Sequence, residues 1–187
     1  AVTLDLKTAS GKDDLWGLLA DADVLIENMR PGKLEALGFG PDVLLRHNPR
    51  LVILRVSGFG QTGPYAQQPG FATIAEALSG FSGLLGEPGG QPLLPPVAVT
   101  DEVTALVGAL GVLLALRHAE HTGEGQVVDV NLLESMFQIM GPLVSAYAHM
   151  GYLQPRLGAG IPYTVPRGTY RTADGIWVAI SSSSDSV

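Results

Sequence analysis

Hydrophobic residues in the first third of the chain form short runs separated by stretches with helical spacing. The runs DVLIE and LVILRV, at residues 23–27 and 51–56, are typical of buried strands, and residues 2–6 alternate like a half-exposed strand. Amphipathic helices are predicted between these strands, over residues 12–21, 33–37 and 42–46. Strands that alternate with helices predict a parallel sheet in an α/β fold.

The remaining pattern predicts more helices, one more strand and a final hairpin. Helices are expected over 71–82 and 132–150, the second bent near Gly141 and Pro142, with a strand over 126–130. Residues 154–167 are irregular and rich in proline and glycine, and residues 168–180 form a hairpin with Asp174 and Gly175 in its turn. We therefore expect residues 1–153 to belong to a large domain, and residues 154–187 to be a linker and the start of a smaller one.

The most apolar stretch is a predicted helix over residues 101–118. Thr100 is placed as its N-cap, with Asp101 and Glu102 in the first turn. Because hydrophobic residues occupy nearly all its faces, we expect this helix to be buried. Small residues within it, namely Gly108, Ala109, Gly111 and Ala115, are interpreted as places where another backbone comes close.

Composition limits the class of protein. The chain has 187 residues, a net charge of −7 and no cysteine. An acidic surface argues against nucleic acid or an anionic membrane as partner, and a cysteine-free chain fits a reducing, cytoplasmic location. The longest apolar run, residues 103–116, is predicted to be too short to cross a bilayer. The abrupt first strand and last strand suggest a fragment of a longer protein.

Residues 58–63 read GFGQTG, which matches the G-x-G-x-x-G pattern of dinucleotide-binding loops. That function requires a helix to begin inside the motif, so that its N-terminus meets the pyrophosphate. Pro64 and Pro69 follow instead, and no helix is predicted there. An oxidoreductase remains a less favoured alternative to a glycine loop that lets another ligand approach the backbone.

Asp101 is the sharpest candidate for chemistry. An acid in the first turn of a helix is common because it complements the helix dipole, and the same position suits a nucleophilic carboxylate. Glu102 is interpreted as solvated or structural. His118 and His121 have no evident third ligand, so no metal site is predicted. Lys7 and Arg30 follow predicted strand ends, where a phosphate-bearing ligand could lie.

Several segments, in this order, resemble the class III coenzyme A-transferases, a group that includes formyl-CoA transferase and the carnitine and bile-acid CoA-transferases. The segments run through most of residues 3–137, and they are LDLKT (4–8), ADVLIENMRPG (22–32), NPRLVILRVSGFGQTGPYA (48–66), PGFATIAEALSG (69–80) and TDEVTALVGALGVLLALRHAEHTGEGQVVDVNLLESM (100–136).

The resemblance implies roles for particular residues. Asp101 matches the catalytic aspartate of the family. The residues that match its coenzyme A contacts are Leu4, Asp5, Leu6, Lys7, Asn28, Met29, Arg30, Gly70 and Phe71. This chain departs from the family pattern at Ala36, where arginine is frequent, and at Phe71, where the related α-methylacyl-CoA racemases have a catalytic histidine.

The resemblance also implies a Rossmann-like large domain, a small second domain and an interlocked homodimer. The implied reaction moves coenzyme A from an acyl-CoA to a small carboxylic acid through an aspartyl anhydride and an aspartyl-CoA thioester. A racemase or epimerase on the same scaffold is the alternative, but it needs a base that Phe71 cannot supply. A non-catalytic CoA-binding relative is disfavoured by the presence of Asp101.

Overall fold

The structure is a computed structural model that describes residues 2–184. In this part of the chain the helices and strands are, in order, α1 (Ala9–Ala20), β1 (Val24–Glu27), α2 (Lys33–Ala36), α3 (Pro41–His47), β2 (Val52–Ser57), α4 (Ala72–Leu78), α5 (Phe81–Leu84), α6 (Val99–Thr122), β3 (Val127–Asn131), α7 (Leu132–Ile139), α8 (Leu143–Met150), β4 (Arg167–Arg171) and β5 (Trp177–Ser181).

The predicted parallel sheet is confirmed. It has the order β1-β2-β3, and both neighbouring pairs are parallel, with Val24 opposite Val52 and Ile53 opposite Val127. The predicted hairpin is also present, because β4 and β5 pair in antiparallel fashion from Arg167–Ser181 to Arg171–Trp177. The sheet directs the carboxyl ends of its three strands to one edge, which is where parallel α/β folds bind ligands.

The first three helices cover one face of the sheet with a hydrophobic core. Its buried members are Leu19, Leu34, Phe39, Leu44, Leu51 and Ile53. Trp16 packs on Phe39 with ring centroids 4.6 Å apart. This cluster forms because α1, α2 and α3 each direct apolar side chains toward β2. Met29, in the loop between β1 and α2, also packs against it.

Helix α6 packs on β2 and β3, and glycines make that approach possible. A Cβ atom at Gly108 would lie 3.2 Å from the Leu54 side chain, and one at Gly111 would lie 2.7 Å from the Val128 side chain. The sequence-based expectation that another backbone comes close here is therefore wrong. Side chains of the sheet fill the space above these two glycines instead.

The expectation that α6 is buried on all sides is also wrong for this chain. Its buried residues are Thr100, Thr104, Gly108, Ala115 and Ala119, whereas Leu106, Leu110, Leu113 and Leu114 are exposed. An all-apolar composition indicates that the surface of a helix is suited to burial, but it does not indicate which element buries it. Within the described residues the sheet covers a single narrow face.

Helix α6 is also longer than predicted. It has 24 residues, and an 18-residue window within it has a mean hydropathy of 1.8, so by length and composition it could cross a membrane, contrary to the estimate from residues 103–116. One such helix is weak evidence, because core helices of other proteins have the same composition.

Three further predictions differ from the structure. Residues 2–6 form no strand; instead Asp5 accepts hydrogen bonds from the backbone of Lys7 and Thr8 in a turn that leads into α1. The helix predicted over 71–82 is interrupted at Gly80, whose φ of 86° is left-handed. The helix over 132–150 is divided at Gly141 and Pro142. The division into domains at residue 153 stays a prediction, and residues 1 and 185–187 lie outside the described part.

Candidate functional site

Loops from the carboxyl ends of β1 and β2 meet the first turn of α6 and enclose a cleft of about 390 Å³, here called the polar cleft. Asn28, Met29, Arg30 and Pro31 line one side of it. The remaining lining residues are Val56, Ser57, Gly58, Ala66, Gln68, Pro69, Gly70, Phe71, Ala72, Asp101 and Leu132. Among these described residues the charged side chains are those of Arg30 and Asp101, one of each sign.

A second cleft, here called the apolar cleft, adjoins the first and has a volume of about 660 Å³. Ile26, Leu54, Val112 and Leu113 are among its lining residues. The two clefts share Asn28, Val56, Asp101 and Leu132. The carboxylate of Asp101 therefore stands where a polar and an apolar environment meet.

Asp101 is exposed in the first turn of α6, as predicted, but Thr100 is not the N-cap. The helix begins at Val99, its N-cap is Ala98, and Thr100 is fully buried inside the first turn. The Thr100 hydroxyl donates to Glu76 Oε1 of α4 at 2.9 Å, and the Thr104 hydroxyl donates to the Thr100 carbonyl at 2.7 Å. The Thr100 hydroxyl, which the local sequence pattern assigns to capping the helix, is hydrogen-bonded to Glu76 of another helix instead.

The wall of the polar cleft depends on a contact between Gly58 and Gly70. A Cβ atom at Gly58 would lie 2.6 Å from the Cα of Gly70, and the reverse distance is 2.7 Å. No helix begins within residues 58–63, as predicted; the next one in the described chain is α4, which starts at Ala72. The loop therefore offers no helix N-terminus to a pyrophosphate, which argues against the dinucleotide function.

A buried ion cluster lies beneath the loop that follows β1. Arg55 of β2 contacts Glu27 at 2.6 Å and Glu35 at 2.7 Å. Hydrogen bonds from Arg55 lower the pKa of Glu35 below its ordinary value. Burial alone would lower the pKa of Arg55, but its hydrogen bonds to Glu35 and Glu27 outweigh that effect and raise it. Glu35 and Arg55 thus both stay charged across the neutral range.

The structure brings together six of the ten predicted site residues. Around the polar cleft lie Asn28, Met29, Arg30, Gly70, Phe71 and Asp101. Leu4, Asp5, Leu6 and Lys7 line neither of the two clefts that contain Asp101. Lys7 also does not follow a strand, because none forms before it in the described residues. The roles assigned to all ten residues stay predictions.

Sequence reasoning missed the residues that hold these loops in place. Gln68 and Pro69 line the polar cleft, Glu76 holds Thr100, and Glu27 and Arg55 lie beneath Met29. The available signal was a charged residue inside an apolar strand, as in LVILRV and DVLIE, since a buried charge needs a nearby partner.

Comparison with known proteins identifies the family of the chain. The sequence profile described as CoA-transferase family III matches residues 1–187. The succinyl-CoA–L-malate CoA-transferase alpha subunit of Chloroflexus aurantiacus is 47% identical over 186 residues, which cover 99% of this chain and 44% of that protein. The α-methylacyl-CoA racemase of Homo sapiens is 36% identical over 97% of this chain and 48% of its own length.

A solved structure shows the same architecture. The crystal structure of a CAIB/BAIF family protein from Brucella suis superimposes with a TM-score of 0.86 and 32% identity, over 94% of this chain and 46% of that one. The chain thus spans about half the length of the relatives it matches. Because the family profile covers the whole chain and the fold agrees, the chain belongs to CoA-transferase family III.

Proposed function

We propose that the full-length protein transfers coenzyme A from an acyl-CoA thioester to an acceptor carboxylic acid, with Asp101 as the nucleophile. One observation carries this proposal: of the described residues that line the polar cleft, Asp101 alone has a carboxylate, and none is a histidine, lysine or cysteine. A carboxylate can attack a thioester without a general base, whereas racemisation requires a second acid–base group, and the described lining of the polar cleft has no second carboxylate, histidine, lysine or cysteine.

The reaction proceeds through covalent intermediates on Asp101. A carboxylate oxygen attacks the thioester carbonyl, the carbon–sulfur bond breaks, and the CoA thiolate departs. The product on Asp101 is an aspartyl–acyl anhydride. The thiolate then attacks the aspartyl carbonyl and releases the donor acid, which gives an aspartyl-CoA thioester. The acceptor carboxylate attacks this thioester to form a second anhydride, and the thiolate finally takes the acceptor acyl group and frees Asp101.

The surroundings of Asp101 suit this substrate. Arg30 offers a cation for phosphate, Asn28 and Gln68 offer polar groups, and the glycine loops at Gly58 and Gly70 offer backbone N–H groups for an oxyanion. Leu4 to Lys7 remain proposed coenzyme A contacts, supported by the family resemblance and not by the lining of either cleft.

We propose succinyl-CoA and malate as the first donor and acceptor to test, since the relative from Chloroflexus aurantiacus is named for them. We further propose an interlocked homodimer in the cytoplasm. Sedimentation of the full-length protein should then show a dimer that persists on dilution, and a monomer at all concentrations would contradict the assembly.

A racemase is the second candidate, because a relative with that name matches nearly the whole chain. Racemisation removes the proton beside the thioester and returns it to the other face, so it needs two acid–base groups. Phe71 occupies the position where the resemblance places histidine, and it reaches the polar cleft with a side chain that cannot carry a proton. The transferase is therefore favoured.

The test compares Asp101→Asn with Glu102→Gln in the full-length protein, following CoA exchange between thioester and acid by mass. Asp101→Asn should lose transfer by orders of magnitude, whereas the lost helix-dipole charge costs only about 0.3–1 kcal/mol of stability. Glu102→Gln should stay active. Hydroxylamine should also trap a hydroxamate at Asp101; substantial activity in Asp101→Asn, or a label on Glu102, would refute the assignment.

A further inference from the structure

The cluster of Glu27, Arg55 and Glu35 lies directly beneath one wall of the polar cleft. Glu27 is the last residue of β1 and Arg55 is its partner in β2, so the two face each other across the sheet. Both are nearly inaccessible, at 6% and 4% exposure, whereas the Glu35 side chain keeps 41%. The cluster occupies the carboxyl edge of the sheet, where the cleft loops begin.

Each contact of this cluster holds a different part of the loop 28–32. Arg55 Nε donates to Glu27 Oε1 at 2.6 Å, immediately before the loop. Arg55 Nη1 and Nη2 donate to the two carboxylate oxygens of Glu35, in the first turn of α2 after the loop, at 2.7 and 3.2 Å. Inside the loop, the backbone N–H of Met29 donates to Glu27 Oε2 at 2.7 Å.

The Arg55 guanidinium is thus hydrogen-bonded to residues on both sides of the loop. The Glu27 carboxylate is also hydrogen-bonded to the backbone of Met29 within it. Stability alone does not require such a device, because well-packed hydrophobic residues can replace a buried ion pair at little or no loss. The cluster adds direction: a planar guanidinium fixes two carboxylates in set orientations, and a hydrogen bond fixes the peptide that presents Met29.

We propose that Arg55, Glu27 and Glu35 are positioning residues for the loop 28–31, and that they set the affinity of the polar cleft for coenzyme A. This inference rests on the proposed function. Asn28, Met29, Arg30 and Pro31 all line the cleft. Asp101 is held separately, through Thr100 and Glu76, so disturbing the loop should weaken binding more than it slows the chemical step.

The central experiment titrates coenzyme A into the full-length protein and its Glu35→Gln variant by calorimetry. Glu35 is partly exposed, so this variant should fold, and an amide offers Arg55 one oxygen instead of two. We expect Kd to rise about tenfold, in line with the sensitivity of binding to small displacements. KM for acyl-CoA should rise with it, while kcat changes by less than about twofold.

Two further variants separate positioning from charge and from general stability. Arg55→Lys keeps the charge but loses the planar guanidinium that donates to both carboxylates. It should therefore weaken coenzyme A binding at least as much as Glu35→Gln. Glu124→Gln, an exposed change outside both clefts, should leave Kd unchanged. Hydrogen exchange should become faster in a peptide that covers residues 28–32 in Glu35→Gln and stay unchanged across α6.

The outcomes distinguish this inference from the proposed function. Folded Glu35→Gln and Arg55→Lys proteins with an unchanged Kd would overturn the inference, even if transfer were intact. A fall in kcat at unchanged KM would also overturn it. If the unmutated protein binds coenzyme A but transfers none, the proposed function fails and the Kd values still decide the inference. If it binds no coenzyme A, both fail.

Discussion

The hydroxyl of Thr100 donates a hydrogen bond to Oε1 of Glu76, with the two oxygens 2.9 Å apart. Both residues are buried, with Thr100 at 0% and Glu76 at 4% exposure. The bond joins α4 to the first turn of α6, and the next residue along that turn is Asp101. The location of the proposed nucleophile therefore depends on a carboxylate that is 25 positions earlier in the chain.

Thr100→Val should destabilise the protein, because it keeps the shape of the side chain and removes the donor to Glu76. An unpaired buried acceptor costs about 1–3 kcal/mol. Urea unfolding of the full-length protein measures it. Thr100→Ser keeps the hydroxyl and should lose only about 0.8 kcal/mol for the missing methyl group; equal losses for both variants would show that this hydrogen bond contributes nothing.

The absence of a base at Phe71 leads to a prediction about isotope exchange. The full-length protein, incubated with a 2-methylacyl-CoA in deuterated water, should leave the α-carbon unlabelled, because Phe71 stands where the resemblance places the histidine that would remove that proton. Mass spectrometry of the recovered thioester gives the result, with a protein-free sample as control. Rapid uptake of deuterium would favour the racemase.

The ion pair with Arg55 makes stability depend on pH through Glu35. Hydrogen bonding lowers the pKa of Glu35 in the folded state below its ordinary value of 4.5. The folded protein therefore holds this proton less tightly than the unfolded chain, so the stabilisation is fully present above pH 4.5 and is lost as pH falls through the folded-state pKa.

Urea midpoints measured from about pH 6 down to pH 3 should fall less steeply in Glu35→Gln than in the unmutated protein. Glu124→Gln, which leaves the cluster intact, should reproduce the unmutated slope. The difference is expected to be small, since Glu35 is partly exposed to solvent. Parallel curves for Glu35→Gln and the unmutated protein would show that the pair contributes no acid sensitivity.

Gly58→Ala should lower stability by about 1–3 kcal/mol or more, because the added methyl group meets the main chain of Gly70 at 2.6 Å and neither loop can yield cheaply. Gly17→Ala is the matched control. Gly17 lies in α1, and a Cβ there would meet nothing within 4 Å, so alanine should add about 0.5–1 kcal/mol. Thermal unfolding that moves both variants in the same direction would contradict the role of the Gly58 contact.

The local sequence pattern was sufficient to predict the parallel sheet, because the spacing of hydrophobic residues and the alternation of strands with helices depend only on neighbouring residues. It failed where the conformation or burial of a residue depends on a partner that is distant in sequence. Residues 2–6 alternate but pair with no strand among residues 2–184. Thr100 has the position of a cap, but its hydroxyl donates to Glu76, and α6 has the composition of a fully buried helix although one face is covered. Asp101 and the loop 28–30 could be proposed from the resemblance, whereas the contacts that hold them could not.

The contact between Gly58 and Gly70 restricts how the cleft can evolve. At most packed positions, a larger residue can be accommodated when its neighbour becomes smaller. Here each neighbour is already the smallest residue, and the obstacle is main chain, so no second substitution at either position can rescue the first. A lineage that needs a differently shaped cleft must change the side chains around this crossing or the length of a loop, and both glycines stay in place.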